Sequence, residues 1–183
     1  SAGVWSASGA TADVNNLLAG LTFIPATDYN SAFTIATNVS DGVAAPTTGS
    51  KAITGTAVND APSASDLSAS ENYVQDTPLD LVDIVTGDVD NATIEVTLTL
   101  SNTAAGALST STSGAITSIY TPGTGVWSAS GVIADVNTLL AGVSYLPASG
   151  FSSPFSILTS VSDGVAAPLT GSKAMTGTAT SVT

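Results

Sequence analysis

Thr93-Ile94-Glu95-Val96-Thr97-Leu98-Thr99-Leu100 carries an aliphatic side chain at every second position, with Thr or Glu between them. Successive side chains of a strand point to opposite faces. The stretch therefore reads as a β-strand with Ile94, Val96, Leu98 and Leu100 on a buried face and the intervening residues on a wetter one. One buried face per strand is the mark of an antiparallel sheet. Working outward, similar runs stand at Leu79–Val85, Ile116–Tyr120, Gly125–Ser130, Val143–Leu146, Phe155–Val161 and Ser172–Thr178, divided by clusters of Gly, Pro, Asn and Asp. That spacing predicts an all-β unit of about seven to nine strands folded as a two-sheet sandwich. One segment departs from it. In Ala134-Asp135-Val136-Asn137-Thr138-Leu139-Leu140-Ala141-Gly142, the apolar Val136, Leu139 and Leu140 fall at i, i+3 and i+4, and Gly142 suits the end of a turn. This predicts one short helix per repeat, crossing between the sheets.

The chain also repeats itself. Gly3-Val4-Trp5-Ser6-Ala7-Ser8-Gly9 returns 122 residues later as Gly125-Val126-Trp127-Ser128-Ala129-Ser130-Gly131. Residues 1–57 align on 123–179 without a gap and with roughly two-thirds of positions identical. Solenoids and propellers repeat every ~20–50 residues, so a period this long predicts that each repeat is a whole folding unit. Residues 1–57 then form the C-terminal half of one repeat, residues 58–62 (Val58-Asn59-Asp60-Ala61-Pro62) a short linker, and residues 63–183 a second, nearly complete repeat. Half a sandwich cannot bury its core. Trp5, Leu17, Leu18, Phe23, Phe33 and Ile35 would need cover either from further sequence or from a neighbouring, identical chain by strand addition. Trp5 and its counterpart Trp127 are expected to be core strand residues.

Composition narrows the function. Two basic and fourteen acidic residues give a net charge of −12, which argues against partners such as nucleic acid or an anionic membrane surface. No apolar run approaches the ~18–20 residues of a membrane span. Histidine and cysteine are both absent, so thiol nucleophiles, imidazole relays and N/S metal sites are unavailable, and the expectation is a protein that is not an enzyme. At 43% hydrophobic residues the chain has the makings of a packed core. Without disulfides, core burial and bound cations are left to stabilise it.

The acidic residues gather in loops. If the strand after the linker runs away from it and Leu79–Val85 returns, Gly87-Asp88-Val89-Asp90-Asn91 ends at the same pole as Asn59 and Asp60. The turn Ser162-Asp163-Gly164 joins them by the same alternation. Calcium takes six to eight oxygen ligands from carboxylates and carbonyls on flexible loops, and Asn59, Asp60, Asp88, Asp90 and Asp163 offer that donor set. Each motif also has an ordinary structural reading, as a hairpin turn, a solvated loop or a linker. Glu71, Asp76 and Asp80 fall toward the opposite pole, where they would serve a next junction. Asp13 and Asp135 precede the helical turns and read as caps.

The combination of Val58-Asn59-Asp60-Ala61-Pro62, a Glu-containing strand, Thr97-Leu98-Thr99-Leu100-Ser101-Asn102, Gly123-Thr124-Gly125-Val126-Trp127 and Ala134-Asp135-Val136-Asn137-x-Leu139-Leu140-Ala141 resembles the cadherin-like repeats of very large secreted bacterial surface proteins, RTX-type adhesins among them. The resemblance implies an Ig/cadherin-like antiparallel β-sandwich in tandem repeats, export to the bacterial cell surface, and Ca2+ at domain junctions. It also implies a role as an extender packed against neighbouring repeats of the same chain. By motif, Asp88 and Asp90 resemble the Asp-x-Asp pair of that family, and Asn59-Asp60 its linker ligands. Two departures stand out: Thr180-Ser181-Val182-Thr183 replaces the second linker, and no glycine-rich nonapeptide repeat is present. Two further readings stay open. One is a subunit of an extracellular filament or sheath completed by strand exchange. The other is a glycan-binding module built on Tyr73, Tyr120 or Tyr145.

Overall fold

The computed structural model describes residues 3–180. The second linker position at residues 181–183 lies outside them. The chain divides into two compact units between Val58 and Asn59, so Asn59–Pro62 belongs with the second.

The first unit contains helix α1 (Thr11–Ala19) and one antiparallel hairpin, β1 (Phe33–Val39) with β2 (Thr47–Ile53), in which Phe33 faces Ile53 and Val39 faces Thr47. Residues 3–8 form no strand, and none of the unit's described residues is buried.

The second unit is built of short strands with one α-helix, and they run in chain order. Its first part holds β3 (Ser63–Ala64), β4 (Glu71–Val74), β5 (Leu79–Asp80), β6 (Thr86–Gly87) and β7 (Thr93–Leu100). A 3-10 turn over Thr103–Ala105 leads to β8 (Gly106–Leu108), β9 (Thr112–Ser113), β10 (Ile116–Thr117) and β11 (Ile119–Thr121). Then come β12 (Val126–Val132), α2 (Ile133–Leu140), β13 (Ser144–Pro147), β14 (Phe155–Ser162) and β15 (Leu169–Thr178). Six of these strands make the main sheet, in the order β11-β12-β7-β14-β15-β4, and β5-β13-β8 makes a smaller one. The fold is all-β apart from its short helices. Strand β7 sits inside the main sheet between β12 and β14, and its Ile94, Val96, Leu98 and Leu100 are all buried, as its alternation requires.

One continuous core lies against this sheet. It includes Trp127, Tyr73, Tyr145, Val136, Leu139, Ile157, Val161 and Met175, each at most 1% exposed. Helix α2 contributes Val136, Leu139 and Leu140, the three positions that its i, i+3, i+4 spacing marked. Asn137, on the same helix, reaches β6: its Oδ1 accepts from the backbone N–H and the hydroxyl of Thr86, and its Nδ2 donates to the Thr86 carbonyl, each at 2.9 Å. Trp127 Nε1 donates to the Ser109 carbonyl at 3.0 Å, so the buried indole leaves no polar atom unpaired.

Four expectations are corrected. Leu79–Val85 is a strand only at Leu79–Asp80, because beyond it Leu81 and Ile84 turn inward three residues apart rather than two. Side chains, and not a strand, take the backbone of Val82: its N–H donates to Glu71 Oε1 at 2.8 Å, and its carbonyl accepts from Lys173 Nζ at 2.9 Å. Ile116–Tyr120 is two pieces, broken at Ser118, whose hydroxyl and N–H both bond to Ser111. The sheet is mixed and not purely antiparallel, since β15 pairs with β4 in parallel, Met175 beside Glu71 and Thr178 beside Val74. Neither helix has a side-chain cap. Asp13 and Asp135 lie within the first turn, where a carboxylate still complements the helix dipole, and Asp135 accepts from the Ser113 hydroxyl at 3.1 Å.

Candidate functional site

Strand register decides which loops meet. Ser63 pairs with Gly87 and Ala64 with Thr86 in antiparallel fashion, so Asn59–Pro62 just before β3 and Asp88–Asn91 just after β6 emerge at the same end. Ser162, the last residue of β14, pairs with Glu95 near the start of β7, which brings Asp163 to that end as well. All five predicted residues, Asn59, Asp60, Asp88, Asp90 and Asp163, belong to this one cluster within the second unit.

Hydrogen bonds set its geometry. Asn59 Nδ2 donates to Asp163 Oδ2 at 2.7 Å and to the Asp60 carbonyl at 2.8 Å. The Asp60 N–H donates to Asp90 Oδ2 at 2.7 Å, while the N–H groups of Asp90 and Asn91 converge on Asp88 Oδ1 at 2.9 and 2.7 Å. Asn91 was not among the predicted ligands, yet it completes the ring: its Nδ2 donates to Asn59 Oδ1 at 2.9 Å. The signal for it was its place directly after Asp88-x-Asp90. Asp163 Oδ1 accepts from the N–H groups of Val165 and Ala166, both at 2.9 Å. Donation from Asn59 first, and then from these backbone groups, holds the Asp163 carboxyl below the ordinary carboxylate range against a smaller opposing effect of burial.

One atom in this network is unanswered. Asp88 Oδ2 is buried and has no hydrogen-bond partner, alone in that respect among the described buried side-chain nitrogens and oxygens. A buried carboxylate oxygen without a donor costs free energy unless something positive faces it. Most of the other acidic oxygens here are taken by N–H groups. Among the described residues no set of three or more acidic side chains is gathered so as to hold a metal ion between them.

Two of the three acidic residues expected at the opposite pole, Glu71 and Asp76, have other occupations. Glu71 is buried at 5% exposure and paired with Lys173, itself fully enclosed, at 3.3 Å. Asp76 accepts from the Gly150 N–H at 2.8 Å, closing a loop. The aromatic residues proposed as a sugar platform are also engaged. Tyr73 and Tyr145 are enclosed, with hydroxyls on the Ser153 and Ala105 carbonyls, and Tyr120 is half-buried on the Gly106 carbonyl. Tyr73 and Tyr145 therefore offer no face to a ligand.

No protein-family model matches the chain, and no curated protein matches it. No helix among the described residues is long and apolar enough to cross a membrane.

Proposed function

We propose that the chain is a non-catalytic extender module of an extracellular bacterial surface fibre or adhesin, an Ig/cadherin-like sandwich repeated in tandem and stiffened by calcium where repeats join. The observation that carries this reading is the ring of Asn59, Asp60, Asp88, Asp90, Asn91 and Asp163, which pins the start of the repeat to two of its loops and leaves Asp88 Oδ2 buried without a donor. A carboxylate oxygen left without a donor, on a loop with other carboxylates nearby in the hydrogen-bonded ring, suits a hard cation that takes oxygen ligands. Asp88 would supply that oxygen, and Asp60, Asp90, Asp163 and the amide oxygen of Asn59, which are not gathered around one point in this structure, would have to close on the ion as it binds. Bound calcium would supply the positive charge that no side chain provides there. The rest of the inventory agrees with a structural role, since the net charge of −12 keeps long arrays soluble and repels anionic partners.

The test is a thermal melt of the whole chain in excess EDTA and across a calcium titration, with magnesium as control and solution scattering for particle length. Extracellular calcium modules bind at roughly 0.1–1 mM, so ~10 mM calcium stabilises the bound form by about 1.4–2.7 kcal/mol per site. The expected result is a melting temperature that rises with calcium in the wild type and not in Asp88→Asn. A melt that is flat across the titration sinks the calcium reading.

A further inference from the structure

Two turns of this molecule share one sequence, Ser-Asp-Gly-Val-Ala-Ala-Pro, at residues 40–46 and 162–168, and they hold the chain's only two Asp-Gly dipeptides. In both, the aspartate Oδ1 accepts from the backbone N–H groups two and three residues on, each at 2.9 Å. The glycine N–H donates to the preceding serine hydroxyl, at 3.0 Å for Gly42 and 3.1 Å for Gly164. Both glycines stand at φ +80°, a left-handed conformation that suits a residue without a Cβ. These bonds fold each aspartate carboxyl back over its own turn, where the next backbone nitrogen belongs to glycine. No side chain shields that nitrogen, and the space a Cβ would take at Gly164 is open.

This arrangement leads to a known weakness of the peptide chain. The Gly164 nitrogen attacks Asp163 Cγ. The N–Cγ bond forms, the Cγ–Oδ2 bond breaks, and Oδ2 leaves as water with the Gly164 amide proton and one proton from solvent. The product is a five-membered cyclic imide. Water then adds at one of its two carbonyls: opening at Cγ restores aspartate, and opening at the Asp163 main-chain carbonyl leaves the chain running through Cγ as isoaspartate. One water is lost and one is gained, and nothing is oxidised or reduced. Oδ2 is the oxygen placed to leave, because two backbone N–H groups hold Oδ1. Here Oδ2 is held as well. Asn59 Nδ2 donates to it at 2.7 Å, and Asn59 is fixed in turn by the Asp60 carbonyl and by Asn91. Take Asn59 away, and Oδ2 keeps only the Asn91 Nδ2 contact at 3.5 Å.

We propose that Asp163-Gly164 is a latent site of isoaspartate formation and that Asn59 guards it, holding the departing oxygen for as long as the start of the repeat stays docked on the turn. The guard and the modification oppose each other. An isoaspartate carries one more backbone carbon between residues 163 and 164, and its carboxylate sits on a shorter arm, so it loses the reach that joins Val165, Ala166 and Asn59. A docked segment is therefore protected from the reaction, and a turn that stays undocked is converted to one that docks poorly. None of this depends on calcium.

The whole chain and its Asn59→Ala variant are aged in warm neutral buffer with EDTA, so that no cation holds the carboxylate. Trypsin then cuts the unfolded samples after Lys51 and Lys173, which places Asp41 and Asp163 on separate peptides, residues 1–51 and 52–173. Electron-transfer mass spectrometry locates and counts isoaspartate at each, with Asp41-Gly42 in the first unit calibrating every sample. The expected result is a ratio of isoaspartate at Asp163 to that at Asp41 that rises on the order of tenfold in Asn59→Ala, the lower worth of a hydrogen bond to a charged group. Asn59→Asp, which still accepts from Asn91 but has no proton to donate to Asp163, raises it too, and takes over where Asn59→Ala does not fold. Asn137→Ala, which loosens the same unit without touching the turn, leaves the ratio at its wild-type value. A ratio unmoved in the folded Asn59 variants overturns the proposal. So does an equal rise in Asn137→Ala, which ties the reaction to unfolding of the unit, or wild-type Asp163 converting as fast as it does in a free peptide of residues 160–168.

Discussion

Lys173 and Glu71 are the deepest charges in the molecule, and replacing Lys173 with Met tests what they contribute. Nζ lies 3.3 Å from Glu71 Oε1, with side-chain exposures of 0% and 5%. Removing the cation leaves an enclosed carboxylate that keeps only the Val82 N–H, and it strips the donor from the Val82 carbonyl. Breaking one side of a buried pair costs about 3–5 kcal/mol. Removing both charges behaves differently. Replacing a buried pair by apolar groups ranges from neutral to ~4 kcal/mol stabilising, but here Val82 would lose partners for both its N–H and its carbonyl, at about 1–3 kcal/mol each. Glu71→Leu/Lys173→Met should therefore lose about 2 kcal/mol, roughly half the loss of Lys173→Met alone. Urea unfolding followed through Trp127 reads the difference: with m near 2 kcal/mol/M, the single variant moves the midpoint by about 2 M and the double variant by about 1 M. A single variant within ~0.3 M of wild type, or a double variant worse than the single, would refute the reasoning.

Two further outcomes are expected. Asp163 titrates below its unfolded value, so its contribution to stability is complete above about pH 4 and is lost as pH falls through the lower folded value; Asn59→Ala, which removes the largest cause, should flatten that acid limb in unfolding curves taken between about pH 5 and 2. Asn137→Ala should cost about 2–4 kcal/mol in urea unfolding, because it deletes three bonds and leaves the buried Thr86 without its partners, whereas Asn137→Asp, which keeps the acceptor, should cost less.

Much of this fold was legible from period alone. Thr93–Leu100 is strand over its full length, and Val136, Leu139 and Leu140 face inward as their spacing demands. What was not legible came from side chains displacing backbone partners. Val82 turns its N–H and carbonyl to Glu71 and Lys173, so a run of apolar residues that should pair as a strand does not. Lys173 shares the inward parity of Met175 on β15. The habit of reading lysine as solvated hid it, since burial of that cation depends on a glutamate 102 residues away. The candidate site followed from Asn and Asp clusters at strand ends, where loops from different strands share a pole. Asn91 escaped because its role is to donate to Asn59, and ligand logic looks for acceptors.

The parallel pairing of β15 with β4 has a mechanical consequence. The second unit enters at Asn59, at the Asp163 end, and leaves past Thr178, beside Val74 at the other end. Tension applied through the two ends pulls β4 toward its start and β15 toward its finish, so the strands are driven past each other along their length. Their four paired positions then carry load together in shear, instead of opening one at a time as a hairpin pulled from its open end would. The Lys173–Glu71 contact crosses this same seam, fastening the two strands that a stretched chain would have to slide past each other.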